Sequence, residues 1–268
     1  MILRMILTTI GAAAALTLLA APCFASDDQL AAAIAAPDRA AENSKRDGAR
    51  HPRASLEFWG LRPGQSVIEV APGGGYWSEI LAPYLKATHG HYIAATGRAD
   101  QKLPAKFADS ARYGQIGYTV FSNTSGPMGT PGSADLVLTA RNIHDWLWTP
   151  GMAEKFMRDA FAVLKKGGIL AVEDHRADPR PQVGDARNGY VATATIVKLA
   201  QDAGFRLEAK SEINANPKDT KDHPFGVWTL PPTRRSAPQG APADPGFDHA
   251  KYDAIGESDR MTLRLRKP

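Results

Sequence analysis

The sequence predicts a doubly wound α/β domain built on a seven-stranded, mostly parallel sheet with one antiparallel strand at the C-terminal end. Short apolar runs with strand character alternate with helical segments along most of the chain. The first buried run leads directly into a glycine-rich turn and a helix. The last run, 261–265, alternates apolar and polar residues after a long irregular segment. Strands separated by helices of this length are typical of βαβ units and a parallel sheet.

The first 25 residues have the pattern of a secretory signal peptide. Arg4 precedes an apolar run, and small residues at Cys23 and Ala25 stand before a predicted cut after Ala25. We therefore expect an exported, periplasmic protein with no membrane span after cleavage, and a retained anchor is the alternative. Cys23 is the only cysteine, so we expect no disulfide and no thiolate metal site in the mature chain.

Charge and composition say little about partners. The chain has 32 basic and 28 acidic side chains, for a formal net charge of +4. Its basic runs are short and have no aromatic residues between them, so nothing indicates a nucleic-acid partner. The residues after the leader are enough to bury the core of a single domain. The oligomeric state is not indicated.

The individual elements follow from hydrophobic periodicity and from turn residues. Strands are predicted at 66–71, 91–95, 118–121, 134–140, 169–173, 205–213 and 261–265. Helices are predicted at 27–36, 53–59, 77–86, 103–112, 152–164 and 190–203. The first two helices form an N-terminal segment, 26–60, that we expect to lie across one edge of the sheet. The helix at 152–164 is expected to end in a glycine cap at Gly167 and Gly168. The main domain, 61–268, contains a proline-rich loop at 214–259, which is either a lid or a passive surface excursion.

A glycine-rich turn follows the first predicted strand. Without side chains, Gly73, Gly74 and Gly75 let backbone N–H groups and a helix N-terminus approach a ligand closely. The turn lacks the Gly-Lys-Ser/Thr of a P-loop, and Ser78 replaces the third glycine of the dinucleotide fingerprint. It fits the pattern acid-x-Gly-x-Gly-x-Gly with Glu69 as the acid and with Ala71 in place of the first glycine.

This turn, together with ADLVLTARNIHDW at the fourth strand and AFAVLKKGGILAVEDH at the fifth, resembles the class I S-adenosylmethionine-dependent methyltransferases. The similarity covers 55–213 and 260–266, and it extends to a group of predicted exported bacterial members. It implies a Rossmann-like fold, S-adenosyl-L-methionine as cofactor, and methyl transfer to an unknown oxygen or nitrogen acceptor. The cofactor contacts that it implies are Glu69, Ala71, Gly73, Gly74, Gly75, Thr96 and Asn142. The acids that the family commonly places after strands two and three are missing here.

Two pairs of histidine and aspartate are predicted after strands four and five: His144 with Asp145, and Asp174 with His175. Both pairs are expected at the carboxyl edge of the sheet, where ligands bind in open α/β folds. We take all four as candidate catalytic residues, with His144 as the base that activates the acceptor. Two alternatives remain open for them, a metal site and purely structural hydrogen bonds. No metal is assigned, and Arg141, Asn142 and Arg176 are candidate contacts for an acidic acceptor.

Two other functions remain open at this stage. One is an exported binding protein that has lost catalysis and holds a nucleoside-like ligand at the same edge. The missing ribose acid favours it, whereas the intact glycine turn and the histidines favour the enzyme. The other is a metal-dependent hydrolase that uses the histidine–aspartate pairs.

Overall fold

The structure is a computed structural model, and it describes residues 24–97, 102–179 and 186–268. Almost all of the predicted signal peptide lies outside the described residues, so its cleavage stays a prediction. Within the described ranges, no helix combines the length and the apolar character that crossing a membrane requires.

Seven strands form one sheet in the order β3-β2-β1-β4-β5-β7-β6. Their bounds are β1 (Ser66–Val70), β2 (His91–Thr96), β3 (Gly117–Val120), β4 (Ala134–Ala140), β5 (Leu164–His175), β6 (Arg206–Ser211) and β7 (Arg260–Arg266). All neighbouring pairs are parallel except those of β7, which runs antiparallel to both β5 and β6. The predicted fold class is confirmed. Because β7 is antiparallel, it begins at the edge where the parallel strands end.

The helices lie between the strands and before the first one. Their bounds are α1 (Phe24–Ile34), α2 (Ala41–Ser44), α3 (Asp47–Arg50), α4 (Pro52–Phe58), α5 (Ser78–Ala87), α6 (Lys102–Lys106), α7 (Ser110–Tyr113), α8 (Ile143–Trp146), α9 (Met152–Val163), α10 (Thr193–Asp202) and α11 (Ala250–Ile255). The predicted helix 103–112 is wrong, because two short helices occupy its place. The side chain of Asp109 accepts hydrogen bonds from the backbone N–H groups of Ala111 and Arg112, and this cap begins a new helix at Ser110.

The predicted glycine cap of α9 is also wrong. The helix ends at Val163, and Leu164 is already extended and pairs with Ala134 at the start of β5. Gly167 has a φ of +79° and donates its N–H to the carbonyl of Lys267, which belongs to the chain following β7. This segment therefore pairs with β4 on one side and with the chain after β7 on the other. Both contacts extend β5 into the residues that were expected to cap the helix.

Two apolar clusters cover the two faces of the sheet. One packs α9 and α10 against Ile68, Val70 and their neighbours in the sheet. The other packs α5 on the opposite face and includes Leu30 of α1 and Leu56 of α4. The N-terminal helices therefore lie on a face of the sheet. They had been expected to lie across one of its edges. Burial of their apolar side chains against α5 explains this position.

Glu69 joins three elements beneath the glycine turn. It is buried in β1, and its Oε2 accepts hydrogen bonds from the hydroxyls of Ser78 in α5, at 2.8 Å, and Tyr92 in β2, at 2.5 Å. Burial raises the pKa of the Glu69 carboxyl to about 7, although both hydrogen bonds act to lower it. Desolvation disfavours the charged form more than two neutral donors stabilise it. The acid therefore orders the turn from below.

This raised pKa predicts how Glu69→Gln changes the pH dependence of stability. The contribution of Glu69 is fully present below its unfolded pKa of 4.5 and is lost as the pH rises through its folded pKa of about 7. Between about pH 5 and pH 8 the wild type should lose about 2 kcal/mol more stability than Glu69→Gln. Urea unfolding at both pH values measures the difference.

Glu154→Gln, on the exposed side of α9, is the matched control and should follow the wild type. Equal pH dependence in the wild type and Glu69→Gln would show that Glu69 is ionised in the folded protein at neutral pH.

Candidate functional site at the carboxyl edge

The glycine turn connects β1 to α5 at the centre of the sheet. Ala71, Gly73 and Gly75 have φ angles of +52°, +56° and +81°, a region that side chains disfavour. A Cβ atom placed on Gly73 or Gly74 would meet no heavy atom within 4 Å, whereas one on Gly75 would lie 2.7 Å from the Phe107 ring. The turn is therefore closed at Gly75 and open at the two glycines before it. That open space is where backbone N–H groups can approach a ligand.

Asn142 joins the ends of β1 and β4 beside this turn. Its Nδ2 lies 3.3 Å from the carbonyl oxygen of Val70, 3.2 Å from that of Ala71 and 3.0 Å from the hydroxyl of Thr139. The sheet order reverses between β1 and β4, so this is the topological switch point at which open α/β sheets bind ligands. The amide nitrogen of Asn142 donates to backbone carbonyls here, and the predicted contact of Asn142 with a cofactor stays a prediction. Thr96 is buried at the end of β2, on the same edge.

His144 and Asp174 form a buried pair at the ends of β4 and β5. His144 lies in α8, directly after β4, and its Nδ1 is 2.7 Å from Oδ1 of Asp174. The backbone N–H groups of His144 and His175 also donate to the Asp174 carboxylate, at 3.2 and 2.8 Å. Burial alone would lower the pKa of His144, but the Asp174 carboxylate outweighs it and the pKa is raised. The imidazole is therefore fixed in orientation and readily accepts a proton.

His175 is the second imidazole at this edge. Its ring centroid lies 4.8 Å from that of His144, and its Nδ1 is 2.5 Å from the hydroxyl oxygen of Ser258. Burial lowers the pKa of His175 well below its usual value, and the nearby His144 lowers it further. The surroundings thus shift the pKa values of the two histidines in opposite directions, and the lowered pKa keeps His175 neutral. Asp174 and His175 were expected to follow the fifth strand, but they form its last two residues because β7 pairs with them.

Three of these residues have the arrangement of possible metal ligands. One ligand atom each from His144, Asp174 and His175 lies within 4.8 Å of the other two. Asp145 is close to the group, with its Oδ1 3.4 Å from Nε2 of His144. However, the Asp174 carboxylate is already used by His144 and by two backbone N–H groups. The guanidinium of Arg141 lines the same cavity and opposes a cation. These contacts favour an acid/base pair over a metal centre.

The proline-rich loop covers the two histidines. It contains a short 3-10 turn, Gly226–Thr229, and the helix α11. The Trp228 ring lies 5.9 Å from the His144 ring, and Ser258 contacts His175. Between the loop and the sheet edge is a cavity of about 150 Å³. It is lined by Arg141, His144, Asp145 and His175 from the edge and by Val227, Trp228, Pro231, Glu257 and Ser258 from the loop. The loop 214–259 was expected to be either a lid or a passive surface excursion. Its position over the two histidines agrees with a lid.

Ion pairs fasten the loop and the N-terminal helices at this edge. Arg260, at the start of β7, pairs with Glu173 of β5 at 3.2 Å and also with Glu257 of the loop. Glu257 in turn pairs with Arg46 at 2.7 Å and with Arg50 at 3.0 Å. None of these site residues, nor Ser258, was predicted from the sequence. The expected antiparallel last strand could have located Glu257, Ser258 and Arg260. Such a strand must begin at the carboxyl edge, so the residues around its start lie there too.

Comparison with known proteins supports the fold. No family model matches the chain, and no curated protein matches it. Among solved structures, the [4+2]-cyclase SpnF is 17% identical, with 86% of this chain and 84% of that one covered and a TM-score of 0.57. Geranyl diphosphate C-methyltransferase from Streptomyces coelicolor A3(2) is 13% identical, with 88% and 84% covered and a TM-score of 0.55.

A SAM-dependent methyltransferase from Aquifex aeolicus is 15% identical, with 84% of this chain and 93% of that one covered and a TM-score of 0.54. The chain therefore has the Rossmann-like fold of these methyltransferases. Because one neighbour with this fold is a cyclase, the fold by itself does not assign the reaction. The residues of the site have to do so.

The geometry predicts that Asp174→Asn lowers the pKa of His144. The carboxylate is the group that holds this pKa above its usual value, and an asparagine has nearly the same shape but no charge. NMR titration of the His144 ring protons measures the shift. Asp145→Asn should lower the pKa less, because the side chain of Asp145 is 47% exposed. An unchanged pKa in Asp174→Asn would contradict the pairing.

Proposed function

We propose that this chain is an S-adenosylmethionine-dependent methyltransferase that methylates an oxygen or nitrogen acceptor, with His144 as the general base. One observation carries the proposal: His144, paired with Asp174, lines a cavity at the carboxyl edge of the sheet, and the open glycine turn lies at the same edge, after β1. A candidate proton acceptor and a candidate ligand-binding turn at one edge support a methyl-transfer site there. Structural neighbours support the cofactor, since one is named a SAM-dependent methyltransferase and another was crystallised with S-adenosyl-L-homocysteine.

The turn fits a nucleotide-like cofactor at one end. The open space over Gly73 and Gly74 would receive the methionyl part, close to backbone N–H groups at the start of α5. Thr96, at the end of β2, would lie at the ribose, where it can offer a hydroxyl in place of the acid that this family commonly has. Glu69 would interact with the methionyl amino group, whose positive charge would favour ionisation of this buried carboxyl.

His144 and the lid would supply the rest of the mechanism. S-adenosylmethionine, when bound, provides an electrophilic methyl group on a sulfonium. His144 would take the proton of the acceptor at Nε2, because Asp174 holds Nδ1. The carboxylate of Asp174 would then stabilise the imidazolium that forms. Trp228 and the prolines of the loop would exclude water and orient the acceptor. His175, being neutral, would add no competing charge.

Export is part of the proposal. The leader at 1–25 would direct the chain to the periplasm, and the mature enzyme would fold and bind its cofactor there.

Calorimetric titration of the purified protein with S-adenosylmethionine and S-adenosylhomocysteine tests the proposal. We expect both to bind the wild type. Gly74→Val should weaken binding at least tenfold, about 1.4 kcal/mol, because its side chain enters the space that the cofactor needs. The melting temperature should stay the same, since a Cβ at this position meets no protein atom within 4 Å.

Gly126→Val is the matched control, because its Cβ also meets no atom within 4 Å but lies in an exposed loop. It should bind both ligands as the wild type does. No heat at millimolar ligand, with the protein folded, would overturn the proposal. Equal binding by Gly74→Val would place the cofactor elsewhere.

A further inference from the structure

Arg141 is a positively charged side chain at the site. It follows β4 directly, and no hydrogen bond or ion pair joins its side chain to any residue that the structure describes. Its Nε is buried without a partner, and the side chain lines the cavity that His144 and His175 share. Burial lowers the pKa of Arg141, yet a guanidinium remains charged at neutral pH.

Four other arginines in the described part of this edge have carboxylate partners within 3.2 Å. These pairs are Arg39–Asp47, Arg46–Glu257, Arg50–Glu257 and Arg260–Glu173. An enclosed guanidinium without a contact ion pair is unfavourable for folding, because burial lowers the pKa of Arg141 more than the nearby carboxylates of Glu257 and Glu173 raise it. Arg141 therefore differs from its neighbours in a way that stability does not explain.

The backbone around Arg141 is strained and held in place. Its φ is +61°, a left-handed conformation that is uncommon for a long side chain. Its N–H donates to the carbonyl of Glu173 at 2.8 Å, and the amide of Asn142 fixes the next residue. Strain of this kind persists where surrounding contacts enforce it, and it is concentrated at functional sites. Here it directs the guanidinium to the cavity that contains the general base.

We infer that Arg141 binds the carboxylate of the methyl acceptor, so that the acceptor is a small carboxylic acid whose hydroxyl or amine faces His144. The inference rests on the proposed function and names the substrate class of that same site. The planar guanidinium matches a carboxylate with two parallel hydrogen bonds. The cavity of about 150 Å³ has room for a short acid or for the end of a longer one.

The charges around the cavity favour a monoanion over a phosphate dianion. Asp145 and Glu257 line it together with Arg141, and Asp174 lies behind His144. A dianion would meet these carboxylates with a single guanidinium, that of Arg141, among the residues that line the cavity to offset its charge. A neutral acceptor would leave Arg141 unpaired, as it is in the protein alone.

The chemical step balances with these groups. The oxygen or nitrogen of the acceptor forms a bond to the methyl carbon, and the carbon–sulfur bond breaks with its electron pair left on sulfur. The proton of the acceptor goes to Nε2 of His144. The acceptor's carboxylate and Arg141 remain ionised throughout and serve to orient the nucleophile.

Anion binding without cofactor tests the inference. Acetate and lactate, with acetamide as the neutral match and inorganic phosphate as the dianion, are titrated into the purified protein and followed by NMR. We expect acetate and lactate to shift the His144 and His175 ring signals and to bind more tightly than acetamide or phosphate. Arg141→Met should weaken acetate and lactate at least tenfold, and Arg141→Lys less. Arg158→Met, which removes an exposed charge from α9, should bind as the wild type does.

A melting curve separates this role from a structural one. Arg141→Met should melt no lower than the wild type, because it removes an unpaired enclosed charge. Arg260→Met should melt lower, because it leaves Glu173 and Glu257 without a partner. A large drop for Arg141→Met would overturn the inference and make Arg141 a structural residue.

Binding of the cofactor to Arg141→Met shows which carboxylate Arg141 contacts, that of the acceptor or that of S-adenosylmethionine. Arg141→Met should bind S-adenosylmethionine and its decarboxylated analogue with unchanged affinities. A loss for S-adenosylmethionine alone would assign Arg141 to the cofactor carboxylate and overturn the inference. If S-adenosylmethionine binds but acetate and lactate do not, the inference fails while the proposed function stands.

Discussion

The buried pair of Arg260 and Glu173 is the interaction on which the carboxyl edge depends. Arg260 begins β7 and Glu173 lies near the end of β5, and both are nearly inaccessible to water. Glu257 extends the pair to Arg46 and Arg50 in the N-terminal helical segment. Three segments distant in sequence are thereby joined at one point. Removing one member would leave a buried charge unpaired, which costs far more than losing a surface ion pair.

The proline-rich loop stays over the histidines because it is held at both ends. Asn214 holds its start, and the ion pairs of Glu257 and Arg260 hold its end. Asn214 donates to the hydroxyls of Ser55 and Thr262, which ties the start of the loop to α4 and β7. At the other end, Glu257 and Arg260 bracket Ser258 and place its hydroxyl against His175. A loop rich in proline and glycine thus becomes an ordered wall of the cavity. The histidines are enclosed by contacts that have no role in the proposed chemistry.

Local pattern predicted the sheet and part of the site. Buried runs and the glycine turn specify β1 and α5, and the order of strands places His144 and Asp174 at one edge. Patterns within a short window could not show that Asp109 starts a new helix, nor that Leu164 pairs with Ala134. The ion network was out of reach as well, because Arg50 and Glu257 are more than 200 residues apart and their pairing depends on the folded sheet.

Hydrogen exchange of the wild type with and without S-adenosylhomocysteine tests the central claim, that the edge beside β1 and β4 binds the cofactor. The account predicts slower exchange at the amides of 71–79 and 141–146, because they border the open turn and the switch point. Strand β6 lies at the far side of the sheet and should exchange unchanged. No protection at 71–79 with saturating ligand, or protection confined to β6 and α10, would contradict the account.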